Sequence, residues 1–322
     1  MDQRILRLYT VLADGKSIRK SEVAKRFGVS ERTIQRDLSE LRLFLADMTP
    51  ETGIPRDLVY DRKNKCYWVD PPLHSSFSNS EAYTVAKILL ESRGLNKEEL
   101  NSILDKLIEC CYPPEERKTV EELLKNERFL YLEPKHRKPM EERVWKLGRM
   151  VDRREVLEVD YCRNYDRKVV HRVLQPMGIL FDSFYFYLIA YYDPADGVFL
   201  RRGKDNHSYP NTYRIDRIVD FRPVGRKFRT PYRNRFQEGE FRKRVPFMFT
   251  GPLASVKFWC HQSSLEAVMD RLPTAKVQKD DGTGKWLYVT AEVHGEGVLL
   301  WLRGQGDHVR DVEFKAAPDH GR

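Results

Sequence analysis

Two sets of side chains offer chemistry in this sequence. Ser30, Arg32, Thr33, Gln35 and Arg36 fall close together, and Arg62 and Lys63 follow in a short basic turn. Hydroxyls, an amide and guanidinium groups at that density suit phosphate oxygens and base edges. The second set is dispersed: His171, Arg172, Tyr187, Arg201, Arg214 and Arg217. Arginine forks pair bidentately with phosphate, and tyrosine and histidine add stacking and hydrogen bonds. Both sets point to anionic ligands.

Catalytic and metal chemistry find little support. The sequence holds no G-x-x-x-x-G-K-[ST], H-E-x-x-H or G-x-S-x-G. Gly282-Thr283-Gly284-Lys285 lacks the spacing of a phosphate loop and reads as a turn between strands. His171, His207, His261 and His294 are isolated, and Cys66, Cys110, Cys111, Cys162 and Cys260 contain no C-x-x-C. Cys110-Cys111 lies on an apolar helical stretch and reads as core. The expectation is a non-enzyme with no cofactor and no metal.

Charge narrows the partner. The 322 residues carry 57 Lys+Arg against 48 Asp+Glu, a net of +9. Residues 161–250 alone hold 18 basic and nine acidic side chains, so that window carries the whole excess. A localised basic excess fits nucleic acid or phosphate. Mean hydropathy is −0.62, no run approaches the roughly 18 apolar residues of a membrane span, and the start lacks an apolar signal region. A cytoplasmic protein with reduced thiols and no membrane partner is expected, long enough for two or three domains of roughly 100–200 residues.

The elements that must position these groups are readable at the N-terminus. Ile5, Leu8, Tyr9 and Leu12 recur at helical spacing. A second helix covers Lys20–Phe27, Gly28-Val29 makes a turn, and Ser30 caps a third helix with the stripe Ile34, Leu38, Leu41 and Leu45. Arg32, Thr33, Gln35, Arg36 and Ser39 lie off that stripe. Asp57–Tyr60 and Cys66–Val69 then flank a polar basic turn, the pattern of a hairpin, with Gly53-Ile54-Pro55 before it and Pro71-Pro72 after it.

The run Lys20 to Leu38, with its core Val29-Ser30-Glu31-Arg32-Thr33-Ile34-Gln35-Arg36-Asp37-Leu38, resembles the DeoR-type winged helix-turn-helix. That resemblance implies a third helix in the DNA major groove, with Arg32, Thr33, Gln35 and Arg36 toward DNA and the hairpin as wing. Together with features further on, the chain resembles bacterial transcriptional regulators of the WYL-domain family.

Further along, Tyr83–Leu90, with Ser80 as N-cap, Leu100–Ile108, Glu116–Lys125 and Met140–Val151 read as connector helices that either support a dimer or pack on the next domain. From 156 the period switches to two: Leu157–Tyr161, Val169–Leu174, Tyr185–Tyr191, Val198–Arg201 and Tyr213–Phe221 read as short strands of a small barrel. Strand alternation would turn Asp216 away from Arg214 and Arg217. Gln175-Pro176-Met177-Gly178-Ile179, Phe186-Tyr187-Leu188 and Tyr213–Ile218 resemble the WYL domain, an Sm-like or SH3-like barrel, with Phe186 where that family has Trp. Residues 252–315 read β-α-β-β-α-β, a ferredoxin-like order, and Gly297–Leu302 with Gly304–Asp307 resemble the C-terminal extension of WYL regulators.

The expected fold is multidomain α+β: a winged helix-turn-helix at 1–72, a helical connector and dimerisation element at 73–155, a WYL effector-sensing barrel at 156–230, and a linker with a ferredoxin-like C-terminal extension at 231–322. The expected function is a sequence-specific, homodimeric transcriptional repressor. It would bind a double-stranded operator through the first set of residues and an anionic nucleic-acid or nucleotide effector through the second. An RNA- or single-strand-DNA-binding accessory protein acting through the barrel is the alternative.

Overall fold

Four leucine and isoleucine side chains at helical spacing organise the first part of the molecule. Ile34, Leu38, Leu41 and Leu45 line one face of α3 (Glu31–Asp47) and are fully buried. They close on Ile5, Leu8 and Leu12 of α1 (Gln3–Ala13) and on Ala24 of α2 (Lys20–Phe27). In this computed structural model residues 3–48, 56–70, 77–112, 116–196, 209–229 and 236–316 are described. They fall into two units, residues 1–91 with 97–132 and residues 92–96 with 133–322.

The α2–α3 turn follows from residue type. Gly28 ends α2 at φ +65°, a conformation that side chains with a Cβ rarely adopt, and its N–H turns back to the last carbonyls of the helix. Ser30 then caps α3, its hydroxyl accepting the Thr33 N–H at 3.2 Å. Strands β1 (Asp57–Asp61) and β2 (Cys66–Asp70) form the antiparallel hairpin and add Leu58, Tyr67 and Val69 to the same core. Ile18 and Tyr67 exchange backbone hydrogen bonds at 2.8 Å, tying the α1–α2 loop to the hairpin. Gly53-Ile54-Pro55 and Pro71-Pro72 lie outside the described residues.

The remaining helices of this unit are α4 (Asn79–Ser92), α5 (Lys97–Glu109) and α6 (Arg117–Phe129), with a short parallel pairing of β3 (Phe77–Ser78) and β4 (Cys111–Tyr112). Ser80 is not the cap of α4. Ser78 is: its hydroxyl accepts the Glu81 N–H at 3.2 Å while the Glu81 carboxylate accepts the Ser78 N–H at 2.8 Å. This reciprocal pair fixes the helix start two residues earlier than Ser80 would.

The second unit opens with α7 (Glu141–Asp152), whose Leu147 is buried, and continues into a five-stranded antiparallel sheet. Its strands are β5 (Glu155–Cys162), β6 (Val169–Asp182), β7 (Tyr185–Tyr192), β8 (Asn211–Arg214) and β9 (Ile218–Lys227), in the order β8-β7-β6-β5-β9. This corrects the expected closed barrel. The edge strands β8 and β9 are joined by the 3-10 turn Ile215–Arg217, with no ladder pairing them. Three residues span at most about 10 Å, so the edges approach at one corner while the sheet stays open. The same turn splits Tyr213–Phe221, expected as one strand, into two. Pro176 sits at a bulge of β6, where its missing N–H costs no ladder bond. The expected strand Val198–Arg201 lies outside the described residues.

Helix α8 (Glu238–Arg244) covers one face of this sheet, packing Phe241 with Val245 and Met248 against Leu180 and Ile189. The chain ends in β10 (Leu253–His261), α9 (Leu265–Arg271), β11 (Lys276–Asp280), β12 (Trp286–His294), α10 (Gly297–Arg303) and β13 (Val309–Ala316). All pairings are antiparallel, in the order β11-β12-β10-β13. Val256, Phe258 and Cys260 alternate onto the face that α9 and α10 cover with Val268, Leu272, Val298 and Leu302.

One half-buried group in this unit predicts a pH effect. His294 stacks on Phe241 at 6.2 Å and its Nδ1 lies 3.2 Å from the Gly251 carbonyl. Burial pushes its imidazole below the ordinary 6.5. It is neutral in the fold but gains a proton in the unfolded chain, so its stabilisation is full above about pH 6.5 and declines as pH falls through the folded value. Urea midpoints measured from pH 5 to 8 should therefore fall less steeply toward acid in His294→Gln than in the wild type. Parallel curves would refute this.

Candidate functional site

On α3 the polar residues divide by depth. Arg32 and Arg36 are exposed, and Thr33 is half-buried, its hydroxyl 2.9 Å from that of Ser30. Gln35 is held within the fold: its Oε1 accepts Lys20 Nζ at 3.0 Å and the Tyr67 hydroxyl at 3.1 Å. It therefore ties α2, α3 and the hairpin together. Lys20 and Tyr67 were invisible as partners because each meets Gln35 only through the tertiary fold.

Arg62 and Lys63 are exposed at the hairpin turn. The turn is rigidified by Asp61, whose carboxylate accepts the N–H groups of Lys63 at 2.7 Å and Asn64 at 3.2 Å. These backbone bonds, the Asn64 bond first, hold the Asp61 carboxyl below the usual range. Arg42 fixes the hairpin to α3 through Asp57 Oδ1 at 2.9 Å and the Leu58 carbonyl. A capped helix N-terminus with two exposed guanidinium groups, and a stiff basic turn on a hairpin fixed to the same helix, present donors suited to phosphates and base edges.

In the central sheet the predicted residues separate. Tyr187 and Arg214 are direct cross-strand partners on β7 and β8. Arg217 follows on the 3-10 turn, close to Tyr161 and Tyr187. Asp216, expected to face away, instead grips Arg214 with both oxygens, Nε–Oδ1 3.0 Å and Nη2–Oδ2 2.8 Å. Asp216 stands two residues from Arg214, the spacing that shares a face even in an extended strand, so the expectation failed on the parity of the residues. Tyr185, two residues before Tyr187 and so on the same face, stacks beneath Arg214 at 3.2 Å from its ring centroid; that spacing could have revealed it. Lys138 adds a third cation at this corner, its Nζ 2.6 Å from the Asp216 carbonyl. Burial pushes the Tyr187 phenol up to about 12, against the opposing pull of Arg214, so it stays protonated and donates at neutral pH.

His171 is elsewhere. Tyr187 pairs with Leu180, which lies about 30 Å of extended strand beyond His171. His171 Nδ1 meets Asp160 Oδ1 at 3.0 Å, in a shallow hollow that also contains Glu158 and Asp220. Arg172 alternates to the opposite face of β6, with its guanidinium 5.9 Å from the Tyr192 ring. Arg201 lies outside the described residues. Phe186, at the position of the family's Trp, packs on Phe181 at 5.0 Å. Among the described residues no His, Cys, Asp and Glu group is placed to hold a metal ion, and no helix is long and apolar enough to cross a membrane.

No curated protein matches the chain. Several solved structures are similar to it, among them these two. Proteasome accessory factor B/C (PafBC) of Arthrobacter aurescens shares 14% identity over 96% of this chain and 43% of its own, with a TM-score of 0.28. A CRISPR Cas-related protein shares 16% identity over 55% of this chain and 46% of its own, with a TM-score of 0.30. The chain thus spans less than half the length of either. The family model that matches is the WYL domain, over residues 142–223, which runs from α7 to β9 and encloses Tyr187, Arg214 and Arg217: the second unit contains a WYL domain.

Proposed function

We propose that this chain is a sequence-specific DNA-binding transcription regulator whose WYL domain responds to an anionic nucleotide or nucleic-acid ligand. The observation that carries this reading is the head surface: Arg32 and Arg36 are exposed on the capped α3, and Arg62 and Lys63 are exposed at the turn of the hairpin that Arg42 ties to the same helix. In the proposed division, residues 1–72 bind DNA, 73–155 connect and dimerise, 156–230 sense the ligand and 231–322 form a linker and C-terminal extension. The regulator acts as a cytoplasmic homodimeric repressor. One head reads few base pairs, so two copies pair on a pseudo-palindrome with half-sites about 34–36 Å apart or a multiple of it. A discrete footprint of the full-length chain on duplex DNA near its own operon supports the reading. Preference for single strands with no footprint favours the accessory-protein alternative.

The ligand arm makes a separate prediction. Arg214, Tyr187 and Arg217 are the proposed contacts, with Asp216 and Tyr185 holding the Arg214 fork in place. His171 is left out because it lies far along β6 beside Asp160, and Arg172 because it faces Tyr192 and Tyr213, on the side of the sheet opposite Tyr187 and Arg214. A ligand that distinguishes two states shifts operator affinity by a typical factor of about 5–150. Arg214→Ala and Tyr187→Ala should abolish that shift and spare ligand-free DNA binding. The check is operator affinity with and without short oligonucleotides or cyclic nucleotides, and a full response in both variants would remove these residues from the site.

A further inference from the structure

The C-terminal sheet has two faces of different chemistry. One is the apolar face beneath α9 and α10. The other carries an aromatic row on its two central strands. Trp259 of β10 and Tyr288 of β12 are direct cross-strand partners, with ring centroids 5.1 Å apart. His261 and Trp286 are the next pair on that face, at 5.3 Å. The rings are only half-buried, although large aromatic side chains normally gain from full burial.

Cations flank the row on both edges. Lys279 of β11 lies 5.7 Å from the Trp259 ring and 5.4 Å from the Tyr288 ring. Arg310 of β13 pairs with Trp259 and reaches across β10 to lie 3.9 Å over Trp286. Lys257 and Lys276 are the cross-strand partners of Thr290 and complete the basic border. The acids on this face are Glu292, next after Thr290 on β12, Glu313, opposite Lys257, and Asp311, 4.0 Å from Arg310. Stacking surfaces between rows of cations complement bases strung on a phosphate chain.

We infer that this face binds single-stranded RNA, stacking bases on Trp259 and Tyr288 while Lys279 and Arg310 hold the phosphates. A four-stranded sheet with aromatic side chains on its central strands is a geometry that receives unpaired bases. The sugar assignment rests on Gln278 and Thr290. Gln278 Nε2 donates to Thr290 Oγ1 at 3.0 Å, leaving the Gln278 Oε1 as acceptor and the Thr290 hydroxyl hydrogen as donor beside Tyr288. A ribose 2′-hydroxyl needs both, and deoxyribose offers neither. The site shares no residue with α3 or with the Tyr187–Arg214 pair, so it stands independently of the function proposed above.

The test is fluorescence anisotropy of a labelled U12 RNA with the full-length chain. Trp259→Leu, which keeps an apolar side chain, and Tyr288→Leu should each weaken binding about 5- to 150-fold, and Trp259→Phe should restore most of it. Lys279→Gln should reduce the slope of log K against log salt by about 0.7. The same comparisons in an Arg214→Ala background, which removes any U12 held by the WYL sheet, should keep the Trp259 and Tyr288 effects, and unaltered melting by circular dichroism shows that the variants fold. Three results would overturn the inference: no binding of U12, undiminished binding by folded Trp259→Leu, or equal or tighter binding of dT12.

Discussion

Arg32→Ala and Arg36→Ala are each expected to weaken operator binding by the full-length chain roughly 5- to 150-fold at a base pair read bidentately, which corresponds to about 1–3 kcal/mol. Both side chains are exposed on α3, so truncation takes nothing from the core and should leave the thermal midpoint unchanged. The form of the loss separates two roles. If the arginine reads guanine, discrimination disappears at that base pair and other positions keep theirs. If it meets phosphate, every duplex weakens alike and the salt slope falls by about 0.9 for each phosphate no longer neutralised. Gln35→Ala serves as the contrast. It strips the acceptor from Lys20 and Tyr67, so it should lower stability by about 1 kcal/mol as well as disturb binding. Unchanged DNA affinity in both arginine variants would exclude α3 as the recognition element.

The contrast between Arg36 and Gln35 also marks the limit of what the sequence discloses. Helix starts, the Gly28 turn and the Ser30 cap depend on neighbours within four residues, and periodicity placed them. The hairpin was legible for the same reason, because a polar turn between two alternating apolar runs has few other solutions. Gln35 lies off the apolar stripe and reads as a surface residue, yet Tyr67 draws it inward from another element. The Arg214–Asp216 clamp was legible, since residues two apart share one face of an extended chain. Sheet closure is set by whether two distant edges hydrogen-bond, and no local pattern encodes that. Ser78 is a different case: its capping-box partner Glu81 stands three residues on, so the sequence did contain the signal.

The largest effect on stability is expected at Asp37, next to Arg36 on the buried side of α3. Its carboxylate is 2% exposed and receives Arg4 of α1 through two bonds, Nε–Oδ2 at 2.5 Å and Nη2–Oδ1 at 3.1 Å. Such a pair adds little over an apolar pair of equal volume, because desolvation consumes most of the attraction. Removing one partner is different. Arg4→Ala would leave a buried carboxylate without its guanidinium, at a cost of about 3–5 kcal/mol, a large share of the roughly 5–15 kcal/mol that keeps a domain folded. Arg4→Lys should recover only part of it, since an ammonium cannot reproduce the two-pronged geometry. The double variant Arg4→Met with Asp37→Leu should recover most of the stability because no charge is stranded. Urea unfolding of the four proteins checks the order, and a double variant as unstable as Arg4→Ala would sink the argument. DNA binding should follow the same order, because the packing of α3 on α1 fixes the rotation of α3 about its axis and so where Arg32 and Arg36 point.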